Sequence, residues 1–327
     1  MYRKGVIEMN RGVICLGEAL IDFIPMDSTN EIYQKSPGGA PANVAVGLAK
    51  LGAKSTFVGK VGDDLLGRFL KETLTKANVN TEHMLFSKEV RTGATFVTLA
   101  ANGERSFDFY INPSADRFLE KGEIAPTLFE EHGVLHFGSI SLISEPARTA
   151  TRHAVSLAKK NGLMISYDPN LRLNLWEDEE QARLLITSML GEADVLKISE
   201  EELAFITGEQ TIEAGLDQLV AYNIPLVFVT LGEKGSIVSY NGIQRKIPAM
   251  AVQTVDTTGA GDAFVSAILF KLQEERKQVA ELSIKEVEQM ARFASVSGGL
   301  AAATKGAMTA LPTLEKVNDI LRNEQME

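Results

Sequence analysis

The feature that most limits what this 327-residue chain can fold into is its alternation of short apolar runs with longer amphipathic stretches. The runs Val13–Leu16, Val134–Phe137, Met164–Tyr167, Val195–Ile198 and Leu226–Leu231 end in glycine or polar residues. Between and around them, stretches near 42–51, 64–77, 146–160, 178–190, 211–222, 262–275 and 284–303 repeat apolar side chains at helical spacing. A strand apolar on both faces must be covered on both faces. The rhythm therefore predicts an α/β protein with a mostly parallel central sheet between helical layers and ligands gathered beyond the carboxyl ends of the strands.

Two segments, 18–37 and 91–112, alternate apolar and polar residues instead, as in Thr95-Phe-Val-Thr-Leu99 and Arg105-Ser-Phe-Asp-Phe-Tyr110, with Asn102-Gly103 between them as a hairpin turn. Such strands do not suit a buried parallel core. They are expected to form a small projecting sheet, a lid over a site and a surface through which a homodimer forms. No linker, low-complexity tract or repeat divides the chain, so residues 1–327 are expected to be a single domain carrying that lid.

At 45% apolar residues the chain can bury a large core. A formal charge of −10, from 33 basic and 43 acidic residues, argues against nucleic-acid binding, and an anionic substrate would need backbone amides, a few arginines or Mg²⁺. Cys15 is the sole cysteine, which suits a reducing, cytoplasmic location; no run approaches membrane-spanning length, and the first residues lack the apolar stretch of a secretion signal. The histidines at 83, 132, 136 and 153 have neither metal-ligand nor triad spacing, and Gly-x-x-x-x-Gly-Lys-Ser/Thr is absent.

Chemistry concentrates in Val255-Asp-Thr-Thr-Gly-Ala-Gly-Asp-Ala-Phe264. Gly259 and Gly261 flank Ala260 and let consecutive amides turn toward one point at the start of an amphipathic helix, an arrangement suited to phosphate. Asp262 at the lip of that cradle is electrostatically awkward unless it accepts a hydroxyl proton while the cradle holds a transferring phosphoryl group. An ordinary Gly-rich turn, with Asp262 as a helix-start charge, is the competing reading.

Other sites of interest lie at expected strand exits. Gly38-Gly39 frees the backbone to approach a ligand, and Asn43 sits one turn into a small-residue helix where its amide could meet a hydroxyl, or else these residues serve tight packing. Asp22, just past the first strand, could accept hydrogen bonds from vicinal hydroxyls or be a solvated turn residue. Asp63 and Asp64 are read as helix caps. Tyr167-Asp168-Pro-Asn170-Leu-Arg172 gathers a carboxylate, an amide and a guanidinium in one loop, with Arg172 the natural partner of an anion and an Asx-stitched turn the alternative. Glu202, in Ser199-Glu-Glu-Glu202, could hold Mg²⁺ through water or simply open a helix, and Thr230-Leu-Gly232-Glu-Lys-Gly235 could lie beneath a nucleotide.

Taken together, from Cys15-Leu-Gly-Glu to Ala310-Leu-Pro312, these residues resemble the PfkB/ribokinase family of carbohydrate kinases. Gly38-Gly39, Asn43, Gly59 and Gly62-Asp63 look like its first signature and Asp256-Thr-Thr-Gly-Ala-Gly-Asp262 like its second. Tyr167–Trp176, Asn112–Asp116 and Thr304–Pro312 look most like fructokinases. The resemblance implies a ribokinase-like three-layer fold and transfer of phosphate from ATP to a primary hydroxyl, fructose to fructose 6-phosphate being the leading case. It makes Asp262 the base and the Gly259, Ala260 and Gly261 amides the anion hole. Asp22, Gly39 and Asn43 would hold sugar hydroxyls, Arg105, Phe107 and Arg172 would close over the substrate, and Thr230–Gly235 and Ser295 would lie along ATP. A monovalent cation such as K⁺ would sit near Asp256, Thr258 and carbonyls between Ala301 and Ala310. Where many relatives carry Asn-x-x-Glu this chain has Ser199-x-x-Glu202, a departure that fructokinases share, so the resemblance implies that Ser199 and Glu202 keep the metal network beside the nucleotide.

The alternative substrates within this chemistry are 2-keto-3-deoxygluconate or another ketose or ribose, an option Arg105 and Arg172 keep open. A nicotinamide-dinucleotide enzyme would need Gly-x-Gly-x-x-Gly after the first strand, which Gly17-Glu-Ala-Leu-Ile-Asp22 does not supply. A non-catalytic sugar sensor is disfavoured by Asp262.

Overall fold

In a computed structural model, which describes residues 12–100 and 105–324, the chain opens with β1 (Val13–Leu16), β2 (Leu20–Pro25) and β3 (Tyr33–Gly38). It continues through α1 (Ala40–Lys50), β4 (Ser55–Gly62), α2 (Leu65–Lys76), β5 (Met84–Ser87), β6 (Gly93–Leu99), β7 (Arg105–Phe109) and β8 (Val134–Phe137). Repeated βα units follow: α3 (Ala147–Lys160), β9 (Met164–Tyr167), α4 (Glu179–Thr187), β10 (Val195–Ser199), α5 (Glu200–Thr207), α6 (Ile212–Leu219) and β11 (Leu226–Thr230). A hairpin of β12 (Ser236–Tyr240) and β13 (Ile243–Ile247) leads to α7 (Ala260–Glu275), α8 (Ile284–Ala302) and α9 (Leu314–Glu324).

Nine strands form the central sheet in the order β13-β12-β11-β10-β9-β8-β1-β4-β5. Pairing is parallel from β11 to β5, while β12 and β13 add antiparallel to one edge. Strand alternation explains the two helical layers. Val13 and Cys15 pack into a core built with α1, α2, α7 and α8, whereas Ile14 and Leu16 point into a second core built with α3 to α6. The order reverses beside β1, which pairs with β8 on one side and β4 on the other, and such a switch point opens a crevice at the strands' carboxyl ends.

The alternating segments form a separate four-stranded sheet, β3-β2-β6-β7. Asp22, within the 18–37 segment expected to form that sheet, is therefore not the solvated turn residue of its alternative reading. It lies inside β2, opposite Ser36 on β3 and Thr95 on β6. Asn102 and Gly103 lie outside the described residues. Asp64 caps α2 as expected, its Oδ1 accepting from the amides of Leu66 (3.0 Å) and Gly67 (2.9 Å), a bond type worth about 1 kcal/mol. α7 begins at Ala260, two positions earlier than its apolar repeat suggests, because Gly259 takes φ 80° as its N-cap.

Candidate active site

The site is assembled by the close approach of α1 and α7. A methyl group on Gly47 of α1 would lie 2.4 Å from Ser266 Oγ of α7, so only hydrogen fits between the helices there. At that spacing Asn43 Nδ2 donates to Asp262 Oδ2 at 2.8 Å, joining residues 219 positions apart. One Asn43 amide proton holds Asp262, while its Oδ1 is buried without a partner. Burial raises the Asp262 carboxyl to about 6, helped by the Asp168 charge and opposed by the Asn43 bond and by Lys197 and Arg172.

Asp262 lines a cavity of about 430 Å³. Glu18, Asp22, Asn43, Arg172 and Lys197 line it too, and Phe107 and Phe109 of the small sheet form part of its wall. A second cavity, of about 450 Å³, is walled by Thr230, Gly232, Gly235 and Ser295 together with Met250 and Phe264. Thr257 and Gly261 line both, so the two spaces meet at the start of α7. No side chain caps that helix, and first-turn amides have no intrahelical partner.

The expected residues divide between these spaces. Asp22, Gly39, Asn43, Phe107, Arg172, Thr258, Gly259, Gly261 and Asp262 reach the first; Thr230, Gly232, Gly235, Ala260, Gly261 and Ser295 reach the second. The Ala260 amide itself donates to Thr257 O (3.2 Å). Gly38 stands behind Asp22, where a methyl group would lie 2.4 Å from Asp22 Oδ2. Arg105 begins β7, and its side chain lies outside the described part of the molecule.

Other expected residues are engaged within the protein. Asp168 stitches its own turn through the Asn170 amide (3.2 Å) and pairs with Lys197 Nζ at 3.1 Å. Ser199 and Glu202 form a reciprocal capping box: Ser199 Oγ accepts from the Glu202 amide (3.1 Å) and Glu202 Oε2 from the Ser199 amide (2.7 Å). Glu202 Oε1 accepts from the Leu171 amide (2.7 Å), tying α5 to the loop that carries Arg172. Asp256 joins two loops, its Oδ1 accepting from the Thr258 amide (3.0 Å) and its Oδ2 from the Gly306 amide (3.1 Å). Among the described residues no group of three or more His, Cys, Asp or Glu could hold a metal ion.

Two ionisable wall residues were not among the sequence candidates. Glu18 accepts from the Ala40 amide at 2.9 Å, and burial, aided by Asp116 and Asp262, pushes its carboxyl up to about 8. Lys197 projects from β10; the signal was a single charge inside the otherwise apolar run Val195–Ile198.

The model of the pfkB family of carbohydrate kinases matches residues 10–314. The chain is 44% identical over 317 residues to fructokinase-2 of Solanum lycopersicum, covering 95% of this chain and 96% of that one. Among solved structures it is similar to a fructokinase double mutant from Vibrio cholerae O395 with bound fructose, ADP and potassium ion, at 41% identity and TM-score 0.87 over 94% of this chain and 97% of that one. It is also similar to a fructokinase from Xylella fastidiosa with bound ATP, at 31% identity and TM-score 0.91 over 97% and 100% of the two chains.

Proposed function

The chain belongs to the pfkB family of carbohydrate kinases, and from that premise we propose that it transfers the γ-phosphoryl group of ATP to the primary hydroxyl of D-fructose, yielding fructose 6-phosphate. The observation that carries this reading is the meeting of two cavities at Thr257 and Gly261 beside a buried carboxylate already held by Asn43. A sugar in the first cavity and a nucleotide in the second would bring a hydroxyl, a base and a terminal phosphorus together at one seam.

In this reading Asp262 takes the hydroxyl proton, and its raised pKa of about 6 keeps it a stronger base than an exposed aspartate yet still ionised at pH 7. The amides of Gly259 to Gly261, at the positive end of a 16-residue helix, stabilise charge on the transferring group. Asp22, Gly39 and Asn43 hold sugar hydroxyls. The small sheet, carrying Phe107 and Arg105, acts as a lid on one kinase domain and excludes water. Thr230, Gly232, Gly235 and Ser295 line the nucleotide.

The cavity's charge favours a neutral ketose over 2-keto-3-deoxygluconate. Its wall carries the carboxyl groups of Asp22 and Asp262, with that of Glu18 raised to about 8 and so largely protonated at pH 7, and of the cations among its described residues Lys197 is already paired with Asp168. A sugar acid would have to share Arg172 with those groups.

Mg²⁺ would be held chiefly by the nucleotide's phosphates, with Glu202 reached through water by the lone pairs its two amide bonds leave over. Once bound, it neutralises phosphate charge. Asp256 and Thr258, with carbonyls of the 301–310 loop, are the residues we propose for K⁺, a reading supported by the potassium ion of the V. cholerae relative. The exposed Met26, Ile32, Phe107 and Tyr110 around the small sheet support a homodimer through that face. The lone, buried, unpaired Cys15 suits a cytoplasmic setting, and no helix among the described residues is long and apolar enough to cross a membrane.

A panel of ketoses, aldoses and keto-acids assayed for ADP release with MgATP, in K⁺ and in choline buffers, tests the reading. Fructose should give the highest kcat/KM and K⁺ should raise it. Preference for an acid sugar would overturn the substrate, and ADP release indifferent to any sugar would overturn the kinase.

A further inference from the structure

The charge of Lys197 demands an account. It sits among Val195, Leu196 and Ile198 on a strand buried on both faces, where an ammonium group costs several kcal/mol unless it is paired and used. Asp168 pairs it, at 3.1 Å and 3.4 Å from its two oxygens. An ammonium has three donors, and one shared between those oxygens leaves others to spare. The head group also reaches the wall of the first cavity. A methyl group on Gly261 would lie only 3.3 Å from Lys197 Nζ, so the ammonium abuts the first turn of α7. Two sources of positive potential, a helix start and a buried lysine, thus border the seam between the cavities.

We propose that Lys197 is a catalytic residue that contacts the transferring phosphoryl group, with Asp168 as the positioning residue that holds its ammonium in place. The inference rests on the phosphotransfer reading above. In the step, the bond from the γ-phosphorus to the β–γ bridging oxygen breaks and its electron pair leaves with ADP. A bond from phosphorus to the sugar oxygen forms, and the hydroxyl proton passes to Asp262. Lys197 exchanges no proton; it neutralises charge on the phosphoryl oxygens.

The alternative is that Lys197 only balances Asp168, and a paired substitution separates the two. K197M should lower kcat roughly 10²-fold with little change in KM for fructose, as for loss of one group acting on the transition state. By calorimetry without sugar, it should weaken ATP binding about tenfold relative to ADP, the loss expected for one charge-assisted contact to the terminal phosphate. D168N/K197M, which restores charge balance without the cation, should regain thermal stability but neither kcat nor the ATP-to-ADP preference; should K197M not fold, this variant alone gives the reading. Recovery of wild-type kcat in the double variant, or an unchanged ATP-to-ADP ratio in either, would overturn the proposal. A wild type that releases ADP without regard to sugar would instead remove the reading beneath it.

Discussion

Asp262 is costly to the fold because of what it is proposed to do. Burial raises its carboxyl from the ordinary 3.8 to about 6, so the protonated form is favoured in the folded chain. Stability from this group is full below the ordinary value and is lost as pH rises through about 6. Asp262→Asn removes that loss and can still accept from Asn43. The variant should be more stable than wild type at pH 7.5 by about 2–3 kcal/mol, a few degrees in Tm, and no more stable at pH 4, while turnover drops roughly 10²-fold or more. Melting curves at the two pH values with steady-state rates check this; an unaltered Tm difference across pH would sink the linkage, and near-normal turnover would remove the base. The same shift predicts that kcat/KM for fructose falls below about pH 6. Asp22, also raised to about 6 by burial and by the Asp262 charge, titrates beside it, so the acid limb belongs to the pair. Asp22→Asn should weaken fructose binding yet keep an acid limb, and its disappearance would transfer the base role to Asp22. Asp262, Asn43 and Arg172 were legible because glycines and strand exits surround them. Glu18 and Lys197 were not: each is a charge hidden in or beside an apolar strand, and only the third dimension turns it toward the cavity.

At the scale of elements, the separation of α1 and α7 governs the site. Gly47 and Ser266 set that separation, and Asn43 and Asp262, each four residues away, depend on it. Gly47→Ala adds a methyl where nothing but hydrogen fits, so the helices must part or Ser266 must shift. Overpacking of this kind costs about 1–3 kcal/mol. A lower Tm together with a lower kcat is expected, and Ser266→Gly in the same chain, which clears the space, should recover much of both. A kcat untouched by Gly47→Ala would mean that the Asn43–Asp262 bond tolerates the displacement. Elements with a clean apolar run or repeat were legible almost to the residue: β1, β8 and β9 match their apolar runs, and α3 differs from its expected span by one position. The β12–β13 hairpin was not, because Ile243 to Lys246 are exposed on an edge and Ile-Gln-Arg-Lys-Ile carries no clear period of two. Its place follows from pairing with β12, a tertiary fact that local pattern does not encode.

For the whole molecule, the decisive feature is that the first cavity is shared between two sheets. Asp22 and Thr95 come from the small sheet, as do Phe107 and Phe109, whereas Arg172, Lys197 and Asp262 come from strand exits and α7 on the large one. On the lid reading proposed above, a ligand bridging them gains contacts only when the small sheet is seated, and binding and closure are then one equilibrium. Phe107 on that sheet is 45% exposed, and Thr95 Oγ1 is buried without a partner. Fructose should therefore slow amide hydrogen exchange across β6 and β7 while leaving β12 and β13 unchanged, and ATP alone should do so less. Phe107→Ala, which removes wall area without touching Asp262, should raise KM for fructose and increase ADP release per sugar phosphorylated, since a poorly sealed site admits water as the competing acceptor. If exchange in β6 and β7 ignores fructose while Phe107→Ala stays tightly coupled, the small sheet is a fixed wall, and water must be excluded by the cavity's depth instead.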